Sequence, residues 1–301
     1  MIDFKPLDPA KKSEYDHFLL NCGQRGCEYN FANLFLWGRQ RAAFLGDNLV
    51  FFSQFNRRSV YLFPLYHDDP KPVLDAVIED AAQRGIPCRL TSLLQEDCAL
   101  LERLYPGKFR IHVDRDSFDY IYAIDDLSQL KGRKFQRKRN HLNRFRQTCP
   151  DYTVVPISPE NTNAVTFMLE DWYAAKLEGD PLCDLCMEQI AIQKALRCQS
   201  QLEMDGLALY HEGKILAMTM GTPLADNSYD IHFEKASDDG AYAAINYEFA
   251  NYLHQKYPHV QWLNREDDLG LEGLRKAKLS YNPDHLIEKY WACLLEDGYD
   301  Y

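Results

Sequence analysis

Residues 202–236 read LEMDGLALYHEGKILAMTMGTPLADNSYDIHFEKA. Short apolar runs rich in Leu, Ile, Met, Tyr and Phe are separated here by turn residues, the pattern of antiparallel strands and not of a helix. Strands are expected at 202–211, 214–222 and 228–236, with Glu212-Gly213 as the hairpin turn between the first two. Working outward, YTVVPI at 152–157 reads as a strand, followed by helices at 159–179 and near 187–199. Downstream, Gly240 to Tyr257 is an amphipathic helix with Ile245, Phe249 and Leu253 inward. HVQWLN at 259–264 is a strand, Leu269 to Leu279 a helix, and IEKYWACLL at 287–295 a closing strand.

The first 125 or so residues repeat this alternation without repeating the sequence. A helix at 9–22 and a short aromatic helix over FANLFLW precede strands AAFLG, LVFFSQF and SVYLFPL. Helix PVLDAVIEDAAQRG stops at Gly85; strand IPCRLTSL, helix EDCALLERLYPG and strands FRIHV and FDYIYAI follow. The fold class expected is α/β (α+β): two similar units, each a mixed, mostly antiparallel sheet with flanking helices. The length of 301 residues and the 46% hydrophobic content suit two such domains.

Between them lies Leu130 to Arg146, LKGRKFQRKRNHLNRFR, with eight Lys and Arg and no acid in a chain whose net charge is −11. Its spacing is helical. Phe135, Leu142 and Phe145 mark a docking side, while Lys134, Arg137, His141 and Arg144 recur on another. Clustered cations inside an acidic protein read either as a solvated face balanced by acids such as Asp125 and Asp126 or as a site for one phosphate-bearing ligand, and not as a general coating for a polyanion.

The opening MIDFKPLDPAKKSEYD has the features of neither a signal nor a transit peptide, and no apolar run approaches the length of a membrane span. A cytoplasmic protein without a transmembrane segment is therefore expected. The nine cysteines are irregularly spaced, and the pair Cys183-Asp-Leu-Cys186 has no second pair to make a zinc ribbon. No HExxH, GxSxG or phosphate-loop glycine pattern occurs, so no metal site is expected.

Two polar stretches can carry chemistry. On strand YDIHFEK, alternation places Asp230, His232 and Glu234 on one side and Ile231 and Phe233 on the other. A histidine flanked by carboxylates can act as a general base; a solvated strand edge has the same pattern. The second stretch, WLNREDDLGLEGLRKAKLSYNP at 262–283, ends a strand at Asn264 and enters a helix through the turn Arg265-Glu266-Asp267-Asp268. Such turns at strand C-termini are where α/β folds place ligands. Arg275 and Lys278 lie three apart on that helix, and Glu272 and Lys276 four apart.

Taken together, KGRKFQRKRNHLNRF, IHFEKA, AINYEF and NREDDLGLEGLRKAKLSYNP resemble a bacterial family of unassigned function. That family is related to the C-terminal catalytic domain of phosphatidylglycerol lysyltransferases and, more remotely, to Fem-type peptidyltransferases. The resemblance implies tandem GNAT-like domains, at 1–129 and 151–301, joined by the basic helix at 130–150. It also implies an aminoacyl-tRNA as donor and an amine or lipid hydroxyl as acceptor, with peripheral contact to anionic lipid as a further expectation. Where GNAT enzymes hold the coenzyme A pyrophosphate on a glycine-rich loop, this chain reads KASDDGAYAAIN with the single glycine Gly240, so no cofactor is expected beyond the donor.

The expected site assigns His232, with Asp230 or Glu234, to the base role and Asn264 and Arg265 to the reacting carbonyl. Arg137, Lys138, Arg139, His141, Arg275, Lys276 and Lys278 are assigned to donor phosphates. The alternatives are a CoA-dependent N-acyltransferase and a non-catalytic binder of RNA or anionic lipid.

Overall fold

The computed structural model describes residues 1–37, 39–55, 58–174, 184–225 and 227–295. The first unit opens with strand β1 (Lys5–Pro6), helix α1 (Lys12–Leu19) and the aromatic helix α2 (Phe31–Leu36). A meander of β2 (Gln40–Phe44), β3 (Leu49–Phe55) and β4 (Arg58–Leu62) follows. Next come α3 (Lys71–Arg84), ended by Gly85 as its spacing predicts, then β5 (Arg89–Leu93), α4 (Gln95–Leu104) and β6 (Phe109–Val113). Val73, Leu74, Val77 and Ala81 of α3 pack on Val50, Phe52, Tyr61 and Phe63 of the meander. Burying each such side chain is worth about 1.5–3 kcal/mol, which seats the helix on the sheet.

The second unit begins with β7 (Asp119–Ala123), α5 (Ile124–Gln129), α6 (Gln136–Thr148), β8 (Thr153–Pro156), α7 (Thr162–Ala174) and α8 (Asp184–Leu202). The hairpins read from residues 202–236 are β9 (Asp205–His211), β10 (Lys214–Leu224) and β11 (Ser228–Ala236). They are followed by α9 (Asp239–Lys256), β12 (Trp262–Asn264), α10 (Glu272–Leu279), β13 (His285–Ile287) and β14 (Tyr290–Leu294).

The strands form two seven-stranded sheets, β1-β2-β3-β4-β5-β14-β6 and β13-β7-β12-β11-β10-β9-β8. The linear reading gave FDYIYAI to the first unit and IEKYWACLL to the second. Pairing reverses both: β7 lies against β12, and β14 lies between β5 and β6. Alternation within a strand is a local signal and carries no record of which sheet completes it. Compact packing accordingly groups Met1–Asp119 with Asp267–Leu271 and the chain from Ile287, and Tyr120–Glu266 with Glu272–Leu286.

One face of the second sheet carries α5, α6 and α9. Leu142 and Phe145 of α6, with Phe135 just before it, are buried against Ile245, Phe249 and Leu253 of α9 and Tyr229 and Ile231 of β11. The basic helix thus docks through the side its sequence marks, and its cations lie elsewhere on it. The described cysteines are free thiols, Cys186 among them, while Cys183 lies outside the described residues. No helix among the described residues is long and apolar enough to cross a membrane.

Candidate functional site

In the second sheet, β11 and β12 run parallel but pair only over Ser228–Asp230 and Trp262–Asn264. Beyond that point β11 continues to Ala236 while β12 ends. The notch this leaves has Arg265 and Glu266 at its root. Their backbone is held by β7, with the Arg265 N–H on the Tyr120 carbonyl (3.0 Å) and the Tyr120 N–H on the Glu266 carbonyl (3.2 Å). Glu266 has φ +55°, a left-handed conformation that costs a non-glycine residue about 1–2 kcal/mol. The Asn264 Oδ1 accepts its N–H at 2.7 Å and offsets part of that cost. Asn264, expected at the reacting carbonyl, therefore positions the residue two places on.

The expectation that Asp230, His232 and Glu234 share one side is overturned by a β-bulge. The β10–β11 register shifts between Met220 and Gly221, so Met220 pairs with Phe233 but Gly221 with Ile231. One residue inserted in this way exchanges faces for everything beyond it. Glu234 consequently turns toward α6 and α9, and Asp230 and His232 toward the other face. Gly221 makes the bulge possible, because a Cβ there would lie 2.2 Å from the Asp230 carbonyl oxygen. Arg265 and Glu266 divide likewise, the first reaching Glu234 and the second His232.

On the α6 and α9 face, Arg265 donates from Nε (3.0 Å) and Nη2 (2.6 Å) to the same oxygen of Glu234, Oε2. Glu234 Oε1, Arg265 Nη1 and the hydroxyl of Thr219, which stands directly across from Glu234, are buried and have no hydrogen-bond partner among the described residues. Aromatic rings enclose the pair: the guanidinium lies 4.6 Å from the Tyr281 ring centroid and 5.5 Å from that of Tyr122. Burial opposes the Arg265 charge, but Glu234 and the tyrosines hold its pKa above the usual value. Burial pushes the Tyr281 phenol up to about 12, with Arg265 opposing it.

The ammonium of Lys138, in the first turn of α6, sits 3.6 Å from the Tyr281 centroid and forms no hydrogen bond or ion pair with the described residues. Burial, Arg265 and Arg137 lower its pKa to about 8 against a weaker pull from Asp239.

On the opposite face, His232 Nδ1 lies 3.0 Å from Glu266 Oε1 and 3.7 Å from Asp230 Oδ2, and Nε2 lies 2.8 Å from Thr222 Oγ1. With its proton on Nδ1, the ring donates to Glu266 and accepts from the Thr222 hydroxyl. The ligand atoms of Asp230, His232 and Glu266 lie within 4.8 Å of one another, close enough to share an ion.

The residues expected on phosphates are divided by the fold. Arg137 is exposed on α6 and His141 half-buried. Arg139 donates to the carbonyls of Leu130 and Gly132, closing the turn that leads into α6. On α10, Lys276 is exposed and pairs with Glu272 at 2.6 Å, Arg275 is half-buried, and Lys278 is buried with its ammonium on the Arg265 carbonyl. At the start of α9, the Asp238 Oδ1 accepts the N–H groups of Gly240 (2.7 Å) and Ala241 (3.0 Å). The helix end to which a GNAT enzyme would bring a pyrophosphate is thus capped by a carboxylate.

A second buried cluster lies in the first unit. The ammonium of the fully buried Lys289 contacts Asp119 Oδ1 (2.6 Å), Glu28 Oε2 (2.5 Å) and Cys27 Sγ (3.6 Å). Cys27, Glu28 and Asp119 could by themselves hold an ion, but the lysine already supplies the cation among them. Gly26, at φ +111°, leaves space for it: a Cβ there would stand 2.7 Å from Lys289 Cε.

Several members of the site went unassigned in the sequence. Glu266 stood in the charged turn, next to Arg265, and that adjacency was its only signal. Thr219, Thr222, Tyr122 and Tyr281 gave none, since each is brought in by strand register or by the path of a distant element.

Residues 21–293 match the family described as phosphatidylglycerol lysyltransferase, C-terminal. A conserved protein of unknown function from Bacteroides thetaiotaomicron is 39% identical and superposes with a TM-score of 0.93, over 98% of this chain and 100% of that one. The structure of L-PGS from Bacillus licheniformis is 22% identical with a TM-score of 0.68, over 96% and 93%. A tandem GNAT protein from the clavulanic acid biosynthesis pathway is 10% identical with a TM-score of 0.50, over the whole of both chains, and shares the two-unit fold. An uncharacterised protein of Mycoplasmoides gallisepticum is 25% identical over 182 residues, a match that spans 59% of this chain and 56% of that relative's length. With a tandem GNAT-like fold and a family match over nearly its full length, the chain belongs to the phosphatidylglycerol lysyltransferase C-terminal family.

Proposed function

We propose that this protein is an acyltransferase that moves an aminoacyl group from an aminoacyl-tRNA to an amine or hydroxyl acceptor. The observation that carries the reading is the set of three buried polar atoms at Thr219 Oγ1, Glu234 Oε1 and Arg265 Nη1. Buried polar atoms are rarely left unmatched, because each costs about 1–3 kcal/mol. An acceptor and a hydroxyl beside a donor complement a ligand that carries an ammonium next to a carbonyl, as an α-aminoacyl ester does. Glu234 and Thr219 would take the ammonium. Arg265 would polarise the carbonyl and stabilise the oxyanion that forms on it.

The proton of the acceptor passes, in this proposal, through the Thr222 hydroxyl to His232 Nε2, with Glu266 orienting the ring from Nδ1 and Asp230 beside it. Exposed cations of α6, Arg137 among them, meet the phosphates of the donor. Donor and acceptor thus approach the notch from opposite faces of the sheet. The carboxylate cap at Asp238 weighs against a CoA-dependent N-acyltransferase, because a pyrophosphate would meet like charge there. A non-catalytic binder of RNA or anionic lipid accounts for the cations of α6 and not for the three buried atoms.

The test is a single-turnover assay with tRNA charged with labelled amino acids and a mixture of amine and lipid-hydroxyl acceptors. Transfer above the rate of spontaneous hydrolysis is the expected result. Saturable binding of CoA with no transfer from any charged tRNA would sink the proposal.

A further inference from the structure

We infer that Lys138 is the general acid of the transfer, giving its ammonium proton to the oxygen that leaves the donor. The inference deepens the aminoacyl-transfer reading and rests on it. Its geometry has three parts. The Lys138 ammonium is half-buried with no carboxylate partner among the described residues, lying on the ring of Tyr281 at 3.6 Å. Arg265, at the reacting carbonyl in the proposed function, lies 4.6 Å from the centroid of that same ring, so Tyr281 is a contact the two cations share. Lys138 also belongs to α6, the helix whose exposed cations meet the donor, so it stands where the leaving oxygen must emerge.

The groups facing it are Arg137 on its own helix, Arg265 after β12, Asp239 at the start of α9 and Tyr281 after α10. With burial and two cations outweighing one acid, the ammonium is held at about 8, so at neutral pH it is mostly protonated yet gives its proton up readily.

The step balances as follows. The acceptor's N or O forms a bond to the carbonyl carbon and releases its proton toward Thr222 and His232. The tetrahedral intermediate then collapses, the bond from carbon to the donor's ribose oxygen breaks, and that oxygen takes the proton from Lys138. Exchange with solvent returns one proton to Lys138 and removes one from His232.

Two measurements test this. Competitive labelling of the whole protein with acetic anhydride across pH, read by peptide mass spectrometry, should give Lys138 a midpoint near 8, well below the value of about 10.4 for a lysine in an unfolded peptide. In the single-turnover assay, Lys138→Arg keeps the cation but cannot give up its proton. It should bind charged tRNA within twofold of the wild type, transfer about 10²–10⁴-fold more slowly and lose the upper limb of the pH profile.

A Lys138 midpoint close to that of a lysine in an unfolded peptide overturns the inference whether or not the arginine variant folds. So does undiminished transfer by that variant. A wild type that transfers nothing from any charged tRNA instead defeats the reading on which the inference rests, and the labelling midpoint tells the two failures apart.

Discussion

Glu234 Oε2 receives both Nε and Nη2 of Arg265, at 3.0 and 2.6 Å, a pairing that leaves one atom of each partner unused. A bidentate fork would have matched two nitrogens to two oxygens; this arrangement keeps the ion pair and leaves an acceptor and a donor unmatched among the described residues. The pair is nearly inaccessible, with 4% of the Arg265 side chain and 10% of the Glu234 side chain exposed.

Removing either partner should therefore strand a buried charge. Glu234→Leu or Arg265→Met alone is expected to lower unfolding free energy by about 3–5 kcal/mol, and the double variant by less than the sum of the two. Urea denaturation of all three variants measures this. Additive losses would show that the two side chains do not act as a pair. Glu234→Gln, the milder change, should weaken binding of an amino acid methyl ester at least tenfold by calorimetry.

His232 contacts Glu266 at 3.0 Å and Thr222 at 2.8 Å, and the proposed mechanism uses the three as one relay. Glu266→Gln, Thr222→Val and His232→Gln should each reduce transfer, and His232→Gln combined with Glu266→Gln should be no slower than His232→Gln alone. Residues that work as a unit are not additive in this way. A double variant slower by the product of the two single effects would separate them.

Lys138 ties stability to pH in a direction opposite to that of an ion-paired lysine. Its folded pKa, about 8, lies below the unfolded value near 10.4, so the unfolded chain binds more protons between those pH values. The cost of keeping this cation in the folded state is full below pH 8 and disappears as pH rises past 10.4. Lys138→Met should therefore raise Tm at pH 7, and the gain should shrink between pH 8 and 10.5. A Tm difference that does not vary with pH would contradict it.

Neighbouring cations of α6 should respond differently to loss of charge. Arg137 is exposed, and Arg137→Gln should leave Tm unchanged while weakening tRNA binding and reducing its salt dependence by roughly one phosphate contact. Arg139 donates to the carbonyls of Leu130 and Gly132, and Arg139→Gln should cost about 1–3 kcal/mol of stability. Filter binding at several salt concentrations, beside thermal melts, distinguishes the two roles.

Two glycines should tolerate no side chain. Gly221→Ala would place a Cβ 2.2 Å from the Asp230 carbonyl oxygen, and Gly26→Ala one 2.7 Å from Lys289 Cε at a φ of +111°. Each is expected to cost about 1–3 kcal/mol or more. Gly46→Ala also sits at positive φ, +60°, but has open space around it and should cost less. Equal losses at Gly46 and Gly221 would assign the effect to backbone conformation rather than to the close approach.

Periodicity made the elements legible. Val73, Val77 and Ala81 on α3, and Phe135, Leu142 and Phe145 around α6, are buried as their spacing implies. The site was legible only as an inventory, because His232, Glu234 and Arg265 can be named from local pattern while their pairing cannot. A bulge of one residue moved Glu234 to the opposite face and gave His232 a different carboxylate, Glu266. The bulge depends on Gly221 of the facing strand, so no reading of β11 alone would have found it. Strand order was hidden for a similar reason, since β14 carries the same alternation wherever it docks.

The position of β14 between β5 and β6 also sets a timetable for the first sheet. During synthesis the N-terminal unit can assemble its meander and α3, but among the described strands β6 has no neighbour until Tyr290–Leu294 has left the ribosome. Vectorial, domain-by-domain folding is therefore closed to this chain. A nascent chain arrested before residue 290 would carry an open sheet edge, and cutting the gene between the apparent halves would yield two fragments, each lacking a strand held by the other.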